Sequence, residues 1–184
     1  LWDSLRGVTP FLSVTAELTI VDIGTGAGFP GLPIAIVQPA WHVTLLDSTR
    51  KKIQFIHTVI EALRLTNVAP LVDRVETLGH QPNQRETYDL ALIRAVAPAP
   101  VCAEYSLPLL KPGGTAILYR GQWSTTETQE LEAVVNLLGG SIATIDAFKT
   151  PLSNSDRTCI YLKKVAPTPE EFPRPVGVPT QKPL

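Results

Sequence analysis

The stretch VDIGTGAGFPG, residues 21–31, places three alternating glycines directly after an apolar run and directly before a helix-like segment. Glycine at Gly24, Gly26 and Gly28 permits a backbone with positive φ and leaves no Cβ between the chain and a ligand. The following helix start offers backbone N–H groups without a partner inside that helix. The stretch therefore predicts a ligand-cradling turn, with Gly24 and Gly26 as candidate contacts.

Outward from this turn, short apolar runs alternate with longer segments of helical spacing. Strands are predicted at 18–23, 43–47, 68–72, 88–93 and 115–119, and helices at 32–37, 50–65, 98–110 and 127–138. The runs 142–148 and 158–163 have no room for a helix between them and are predicted to pair antiparallel. This alternation predicts a doubly wound, mostly parallel α/β sheet. Five parallel strands and a terminal antiparallel hairpin form the seven-stranded, Rossmann-like fold of S-adenosylmethionine-dependent methyltransferases, whose ligands sit at the carboxyl ends of the strands.

A glycine-rich turn also occurs in NAD enzymes, but three details favour a methyl donor. Asp22 lies two residues before the first glycine, where its carboxylate can meet the cationic amino group of S-adenosylmethionine. Counted from Gly24, the G-x-G-x-x-G pattern fails at Phe29, and it occurs only in a register displaced from the strand. The crowding by Phe29 and Pro30 suits a ligand without a pyrophosphate.

Asp47 ends the second predicted strand, 25 residues after Asp22. A carboxylate in this place accepts hydrogen bonds from both ribose hydroxyls of a nucleoside ligand, in NAD enzymes as well. The alternative is that Asp47 only caps the helix that begins near Arg50. Ligand binding is favoured because turn and carboxylate occur together at the spacing of a βαβ unit.

Composition narrows the class of protein. A net charge of −1 argues against a broadly basic nucleic-acid-binding surface and leaves room for a local basic patch. No apolar run is long enough for a membrane span, which needs about 18 residues. Cys102 and Cys159 lack metal-binding or redox spacing and are predicted to be buried thiols of a cytoplasmic protein. His42, His57 and His80 lie on no motif, and no metal site is predicted.

Three segments are expected along the chain. Residues 1–17 are predicted to be the remnant of an N-terminal helical region, 18–165 the methyltransferase domain, and 166–184 a Pro-rich extended tail without a core of its own. Because the sequence starts without Met, we expect it to begin inside a longer natural protein. A mobile tail would let Arg174 and Lys182 reach phosphate groups.

Several motifs carry a more specific resemblance. They are WDSL (2–5), VDIGTGAGFPGLP (21–33), LLDS (45–48), RVE (74–76), RAVA (94–97) and the tail from 173 to 184. In combination they resemble the small-subunit ribosomal RNA guanine-N7 methyltransferases, formerly called glucose-inhibited division protein B. The resemblance covers nearly the whole chain, and GFPGLP after the glycine turn is its most specific element.

The resemblance implies S-adenosylmethionine as the cofactor and also implies its contacts. Gly24 and Phe29 would line the methionine side, Asp47, Ser48 and Thr49 would hold the ribose and adenosine, Val75 and Glu76 would edge the adenine ring with backbone groups, and Arg94 would lie at the pocket floor. From the residues alone, the stretch around Val75 is interpreted as an ordinary loop.

Two departures from the family pattern matter. The family usually carries Lys-Gly after the fifth strand, where this chain has Arg120-Gly121. A guanidinium is planar and forked whereas an ammonium is a point charge, so the family's role transfers less directly to Arg120 than to Arg94. The family's N-terminal helical portion is also largely absent, which we expect to impair RNA docking or pocket closure.

The implied reaction needs no catalytic side chain. Guanine N7 carries a lone pair and no proton, so it can attack the sulfonium methyl directly, and proximity and orientation supply the acceleration. The Asn/Asp-Pro-Pro-aromatic motif of exocyclic-amine methylation is missing after Ile93, and Cys102 is not in a Pro-Cys context.

RNA binding requires cations at the pocket mouth. The candidates for contact with RNA are Arg94, Arg120, Arg50 and Lys51, and the alternative for the last two is a solvated helix face. The expected partner is 16S rRNA or the small ribosomal subunit, bound by a monomer.

Three other functions remain open at this point. The near-neutral charge permits a small-molecule or protein substrate for the same cofactor. The displaced glycine pattern and Asp47 permit an NAD-linked oxidoreductase. The short N-terminal region permits a non-catalytic ribosome-binding module.

Overall fold

A seven-stranded sheet with helices on both faces forms the centre of the computed structural model, which describes residues 2–13 and 15–184. The strands are β1 (Thr19–Ile23), β2 (His42–Asp47), β3 (Val68–Val72), β4 (Tyr88–Arg94), β5 (Leu110–Arg120), β6 (Gly140–Lys149) and β7 (Asp156–Lys164). The helices are α1 (Trp2–Val8), α2 (Gly31–Val37), α3 (Arg50–Leu63), α4 (Val75–Leu78), α5 (Ala99–Ser106), α6 (Thr125–Leu137) and α7 (Val178–Gln181).

The strand order is β3-β2-β1-β4-β5-β7-β6. The first five strands in this order are parallel, and β7 runs antiparallel to both β5 and β6. The predicted doubly wound sheet with a terminal antiparallel hairpin is confirmed. Pro70 lies in β3, an edge strand, where the missing N–H costs little. The strand order reverses between β1 and β4, which creates a crevice at their carboxyl ends.

Alternate side chains of each central strand enter opposite halves of the core. In β4, Ala91 and Ile93 pack with α4, α5 and α6, whereas Leu90 and Leu92 pack with α1, α2 and α3. In α3, the apolar stripe buries Ile53 and leaves the basic first turn exposed. The alternation of side chains along the strands and the helical spacing in α3 decide which side chains are buried in the core. The side chains at the strand ends and on the exposed face of α3 remain available to bind a ligand.

The fifth strand begins earlier than the predicted strand 115–119. The sequence KPGG at 111–114 has the composition of a turn, but β5 already begins at Leu110. Tyr88 of β4 pairs with Leu110, and Leu90 of β4 pairs with Thr115. The four residues 111–114 of β5 therefore bulge out of a continuous strand. The predicted helix 98–110 ends at Ser106, and a 3-10 turn with Pro108 follows because proline interrupts helical hydrogen bonding.

The N-terminal helix is packed tightly onto the sheet. Tyr119 Oη donates to the carbonyl of Ser4 at 3.0 Å, and Tyr161 Oη donates to the carbonyl of Gly7 at 3.0 Å. A Cβ on Gly7 would lie 2.4 Å from Tyr119 Oη, so only glycine fits there. Helix α1 thus closes one half of the core, which includes Val8.

The structure also shows the environment of the cysteines and histidines. Cys102 and Cys159 are free and buried, as expected, and burial raises their pKa values to about 11 and about 12. All three histidines are exposed. Within residues 2–13 and 15–184, no helix is long and apolar enough to cross a membrane, and no cluster of three metal-ligating side chains occurs.

Candidate functional site

A cavity of about 310 Å³ lies at the carboxyl ends of β1, β2, β3 and β4, where the strand order reverses. Open α/β sheets bind ligands in this position. Six predicted cofactor residues line this switch-point cavity: Gly24, Asp47, Ser48, Thr49, Val75 and Glu76. Segments far apart in the sequence therefore meet around one space.

The glycine turn has the backbone that the sequence predicted. The φ angles of Gly24, Gly26 and Gly28 are +67°, +62° and +95°. A Cβ on Gly24 would lie 2.6 Å from Val96, and one on Gly28 would lie 2.2 Å from Leu32. At Gly26, the nearest atom would be 3.9 Å away, so the space beside this residue is open. Packing and φ together require glycine at the first and third positions, and φ alone requires it at the second.

Asp22 lies beneath the glycine turn and does not line the cavity. Its side chain is fully buried, and Oδ2 accepts hydrogen bonds from Thr25 Oγ1 at 2.6 Å and from the Gly31 N–H at 2.8 Å. Oδ1 has no hydrogen-bond partner among the described residues. Burial raises the pKa of Asp22 to about 6, against the opposing effects of both hydrogen bonds and of Arg94. Only Oδ1 remains available for the predicted contact with an amino group.

Asp47 ends β2 and connects the turn to the next helix. Oδ1 accepts from the Thr49 N–H at 2.9 Å, and Oδ2 accepts from the Gly26 N–H at 3.1 Å and from Lys52 Nζ at 3.2 Å. Burial alone would raise the pKa of this carboxyl, but these hydrogen bonds outweigh it and hold the pKa below its ordinary value. Asp47 accepts from the N–H of Thr49, which is itself the N-cap residue of α3, so the alternative interpretation as a helix cap is wrong; Asp47 faces the cavity as an ionised acceptor.

Glu76 organises the wall on the β3 side. Its buried carboxylate accepts from Arg74 Nη2 at 2.7 Å and Tyr105 Oη at 3.2 Å, and from the Gly177 N–H at 3.0 Å. Burial favours a higher pKa, but the bonds from Arg74 and Gly177 hold the pKa of Glu76 below its ordinary value. The ordinary loop interpretation of this stretch is wrong, because the stretch forms helix α4 and a buried ionic network.

Three predicted cofactor residues, Gly26, Phe29 and Arg94, do not line the switch-point cavity. Arg94 lies in an adjoining cavity of about 410 Å³ that shares Ala95 with the first. Its guanidinium carbon is 5.8 Å from the centroid of the Phe29 ring, a cation–π distance. Arg120 lines the same adjoining cavity and donates to the carbonyl of Ala97 at 2.7 Å.

The adjoining cavity continues along the ends of β5, β6 and β7. A further cavity of about 660 Å³ shares Phe148 and Arg157 with it and adds Trp123 and Lys149. We call the two together the arginine cleft, after Arg94, Arg120 and Arg157. Arg157 pairs with Asp3 and Lys149 with Asp156, whereas Arg94 and Arg120 have no salt bridge to any acidic group of residues 2–13 and 15–184.

Arg50 and Lys51 lie on the exposed first turn of α3, outside both cavities. The neighbouring Lys52 lines the switch-point cavity instead. Nine further lining residues were not predicted as contacts: Ile23, Leu46, Lys52, Asp73, Arg74, Ala95, Val96, Tyr105 and Thr180. Lys52 lies in the first turn of α3, close to Asp47 in the sequence, whereas Tyr105 and Thr180 reach the cavity only through tertiary contacts.

The C-terminal tail is packed rather than mobile. Arg174 forms an ion pair with Glu104 at 2.6 Å, so its guanidinium is held against α5 and is not carried by a mobile tail. Thr180 of α7 reaches the wall of the switch-point cavity. Lys182 is exposed just beyond that helix.

Comparison of the sequence with known proteins gives a family match. A family model described as rRNA small subunit methyltransferase G matches residues 1–159. Relatives named Ribosomal RNA small subunit methyltransferase G from Nostoc punctiforme and Trichormus variabilis are similar to the whole chain. They are 58% identical over 187 residues and 59% identical over 190 residues, and the chain covers 77% of each.

Comparison of the structure with solved structures shows the fold. A 16S rRNA (adenine(1408)-N(1))-methyltransferase from Catenulisporales acidiphilia matches with a TM-score of 0.69 at 16% identity, covering 91% of this chain and 92% of that one. TYW2 of M. jannaschii in complex with AdoMet matches with a TM-score of 0.68 at 13% identity, covering 89% and 75%. At these identities the likeness concerns the fold alone.

Proposed function

The chain belongs to the rRNA small subunit methyltransferase G family, and from this premise we propose that it transfers a methyl group from S-adenosylmethionine to N7 of a guanine in 16S rRNA. The observation that carries the proposal is that two unlike cavities lie side by side. The switch-point cavity, with Gly24 and Asp47, shares the lining residue Ala95 with the arginine cleft. A methyl donor in the first and a base in the second would meet where β1 and β4 end.

The residues of the switch-point cavity fit this cofactor, which supplies an electrophilic methyl group on its sulfonium sulfur. The ionised Asp47 is a suitable acceptor for the ribose hydroxyls. Asp22, beneath the glycine turn, and Gly26, within it, lie outside the cavity lining. Oδ1 of Asp22, which has no partner among the described residues, would accept from the ammonium group beneath the turn, and the open side of Gly26 would leave room for the methionine part there. Val75 and Glu76 lie on the β3 side of Asp47, where the base would follow the ribose.

The reaction then depends on position rather than on proton transfer. Guanine N7 attacks through its lone pair, so no side chain has to remove a proton. Well-oriented reactants can gain roughly 7–11 kcal/mol from proximity and in-line alignment alone. Arg94, at the join of the two cavities and against the Phe29 ring, is placed to orient the guanine.

The arginine cleft supplies the contacts to RNA. Within residues 2–13 and 15–184, Arg94 and Arg120 form no salt bridge, and Lys149 and Arg157 extend the cationic surface. Phosphate contacts of this kind weaken as salt rises, because bound counterions are released on binding. The substrate would be the small ribosomal subunit or its RNA, in the cytoplasm, with the protein acting as a monomer.

Transfer of tritiated methyl from S-adenosylmethionine to small ribosomal subunits, and to 16S rRNA freed from them, tests the proposal with the full-length protein. We expect incorporation at one guanine, mapped by strand cleavage at N7-methylguanine. Asp47→Ala should abolish most of it, and Glu130→Ala, at an exposed carboxylate of α6, should retain it. No incorporation by a protein that binds S-adenosylhomocysteine would overturn the substrate, and thermal stabilisation by NAD alone would overturn the cofactor.

A further inference from the structure

The C-terminal tail, residues 166–184, is tied to the domain through its backbone. The guanidinium of Arg85 donates to the carbonyls of Phe172 and Thr168 at 2.7 Å, of Gly79 at 2.9 Å and of Pro169 at 3.1 Å. Phe172 is buried in the core formed with α5 and α6. One arginine therefore holds the start of the tail against the segment that follows α4. The whole tail lies beyond residue 159, where the family match ends.

A buried ion pair holds the middle of the tail. The carboxylate of Glu104 in α5 is fully buried, and it accepts from the Arg174 N–H at 2.8 Å, from Nε at 2.9 Å and from Nη2 at 2.6 Å. A buried carboxylate is tolerated only when charge and hydrogen bonds compensate its lost hydration. Arg174 of the tail thus satisfies the buried carboxylate of Glu104, and this ion pair fixes the position of the tail at residue 174.

The end of the tail reaches the switch-point cavity. The Gly177 N–H donates to Glu76 Oε1 at 3.0 Å, the same oxygen that accepts from Arg74 and Tyr105. Gly177 has a φ of +84°, which favours glycine and turns the chain into α7. Thr180 Oγ1 donates to the Gly177 carbonyl at 2.9 Å, and Thr180 lines the cavity.

We propose that residues 177–181 form the wall of the base-binding end of the switch-point cavity and position the cofactor's base, with Thr180 as the contacting residue. This rests on the proposed function. Asp47 marks the ribose position, the glycine turn lies on one side of it, and Glu76 lies on the other. The base therefore points toward Glu76 and the tail. The tail is then part of the cofactor site, although the match of the family model ends at residue 159.

Replacement of residues 177–184 by a Ser/Gly segment of equal length tests the role of the tail. This variant keeps Phe172 and Arg174, adds no terminal charge beside Glu76, and loses α7, which buries only Pro179. We expect the Kd of S-adenosylhomocysteine, measured by calorimetry, to rise about tenfold, as for the loss of one strong polar contact. The control replaces only 182–184 and should bind like the intact chain. The unfolding temperature without ligand should fall by less than about 3 °C in both.

A pair of point variants keeps the test valid if the segment replacement disturbs folding. Thr180→Phe would place a ring into the base end of the cavity, and Gln181→Phe adds the same ring at the next exposed residue, which does not line it. We expect about tenfold weaker binding for the first and no change for the second. Equal affinity of Thr180→Phe and the intact chain overturns the proposal.

The ligand 5′-methylthioadenosine, which has the base and ribose but no amino-acid part, locates the effect. Its affinity should fall in the segment variant by the same factor as that of S-adenosylhomocysteine. A loss confined to S-adenosylhomocysteine would place the effect at the methionine end and overturn the inference. If the intact chain itself binds neither ligand, the proposed function fails, whereas equal binding by all variants refutes only the role of the tail.

Discussion

The switch-point cavity and the arginine cleft share Ala95, yet they are built differently. In the first, Asp47 and Glu76 are buried carboxylates; each accepts a backbone N–H from another segment of the chain and pairs with a cation, Lys52 or Arg74. In the second, the charged groups are partly exposed guanidinium and ammonium groups, and two of them pair with partly exposed carboxylates. The first is preformed and acidic, which suits a cationic small ligand. The second has more cationic than acidic side chains, all at least partly exposed, which suits a polyanion.

The largest effect is expected from a substitution in the switch-point cavity. Asp47→Ala removes the predicted ribose acceptor and frees Gly26, Thr49 and Lys52 from their common partner. We expect the Kd of S-adenosylhomocysteine to rise about 100-fold, equal to roughly 2.7 kcal/mol. Calorimetry measures this, with Glu130→Ala as the control. RNA affinity should stay unchanged, and an unaltered Kd for the ligand would falsify the ribose assignment.

A smaller effect is expected at the join of the two cavities. Arg94→Ala should lower methyl transfer to RNA about tenfold and reduce the slope of log affinity against log salt by about one, while the Kd of S-adenosylhomocysteine stays within twofold. Arg64→Gln, at the far end of α3, is the matched control. A large fall in unfolding temperature would instead show that Arg94 acts mainly as a structural partner of Phe29 and Asp22.

The pH dependence of cofactor binding sharpens the role of Asp22. Because burial raises its pKa to about 6, this carboxyl is protonated in the ligand-free protein below that pH. An ammonium group on Oδ1 would favour the ionised form, so affinity for S-adenosylhomocysteine should fall about fivefold between about pH 7 and about pH 5. Asp22→Asn keeps an acceptor for Thr25 and Gly31 and should remove the dependence. An equal pH dependence in both proteins would assign it to another group.

The same pKa determines the sign of a stability effect. The folded state binds the Asp22 proton more tightly than the unfolded state, so this group's contribution to stability falls as pH rises from about 4 to about 6. Chemical denaturation of the ligand-free protein at several pH values measures it. Asp22→Asn should therefore gain stability relative to the parent as pH rises through this range, and a gain confined to low pH would contradict the burial argument.

The smallest effect is expected on the exposed turn of α3. Arg50→Gln and Lys51→Gln should each weaken RNA binding about twofold, since solvated charges beside the pocket add only screened attraction. Filter binding at two salt concentrations measures this against Arg64→Gln. A tenfold loss of RNA affinity in either variant would mean that the RNA-binding surface includes this turn of α3, and that the arginine cleft is not its limit.

Much of the acidic half was predictable because its signals are local. The three glycines are close in sequence and adopt the positive φ angles that their spacing implied. The position of Asp47 follows from the predicted end of an apolar strand.

The C-terminal hairpin was predicted from the lack of room for a helix between two apolar runs, and the structure confirms the hairpin.

The parts that escaped prediction depend on distant segments. KPGG at 111–114 has the composition of a turn, but pairing of β5 with β4 on both sides turned it into a bulge. Arg174 is charged and near a terminus, which suggests full exposure, but its guanidinium is mostly covered because it pairs with the buried carboxylate of Glu104, 70 positions away. Asp22 was predicted beside the ligand, yet the depth of its side chain under the turn depends on how α2 packs.

By itself, the sequence determined the alternation of strands and helices, the glycine turn and the carboxylate that ends β2, because each follows from periodicity or from φ preferences within a few residues. Only the tertiary structure decided that Arg94 belongs to a second cavity, that Glu76 is buried, and that the tail reaches the first cavity. Burial and pairing of charge depend on which segments come together, and hydration is lost only when they do.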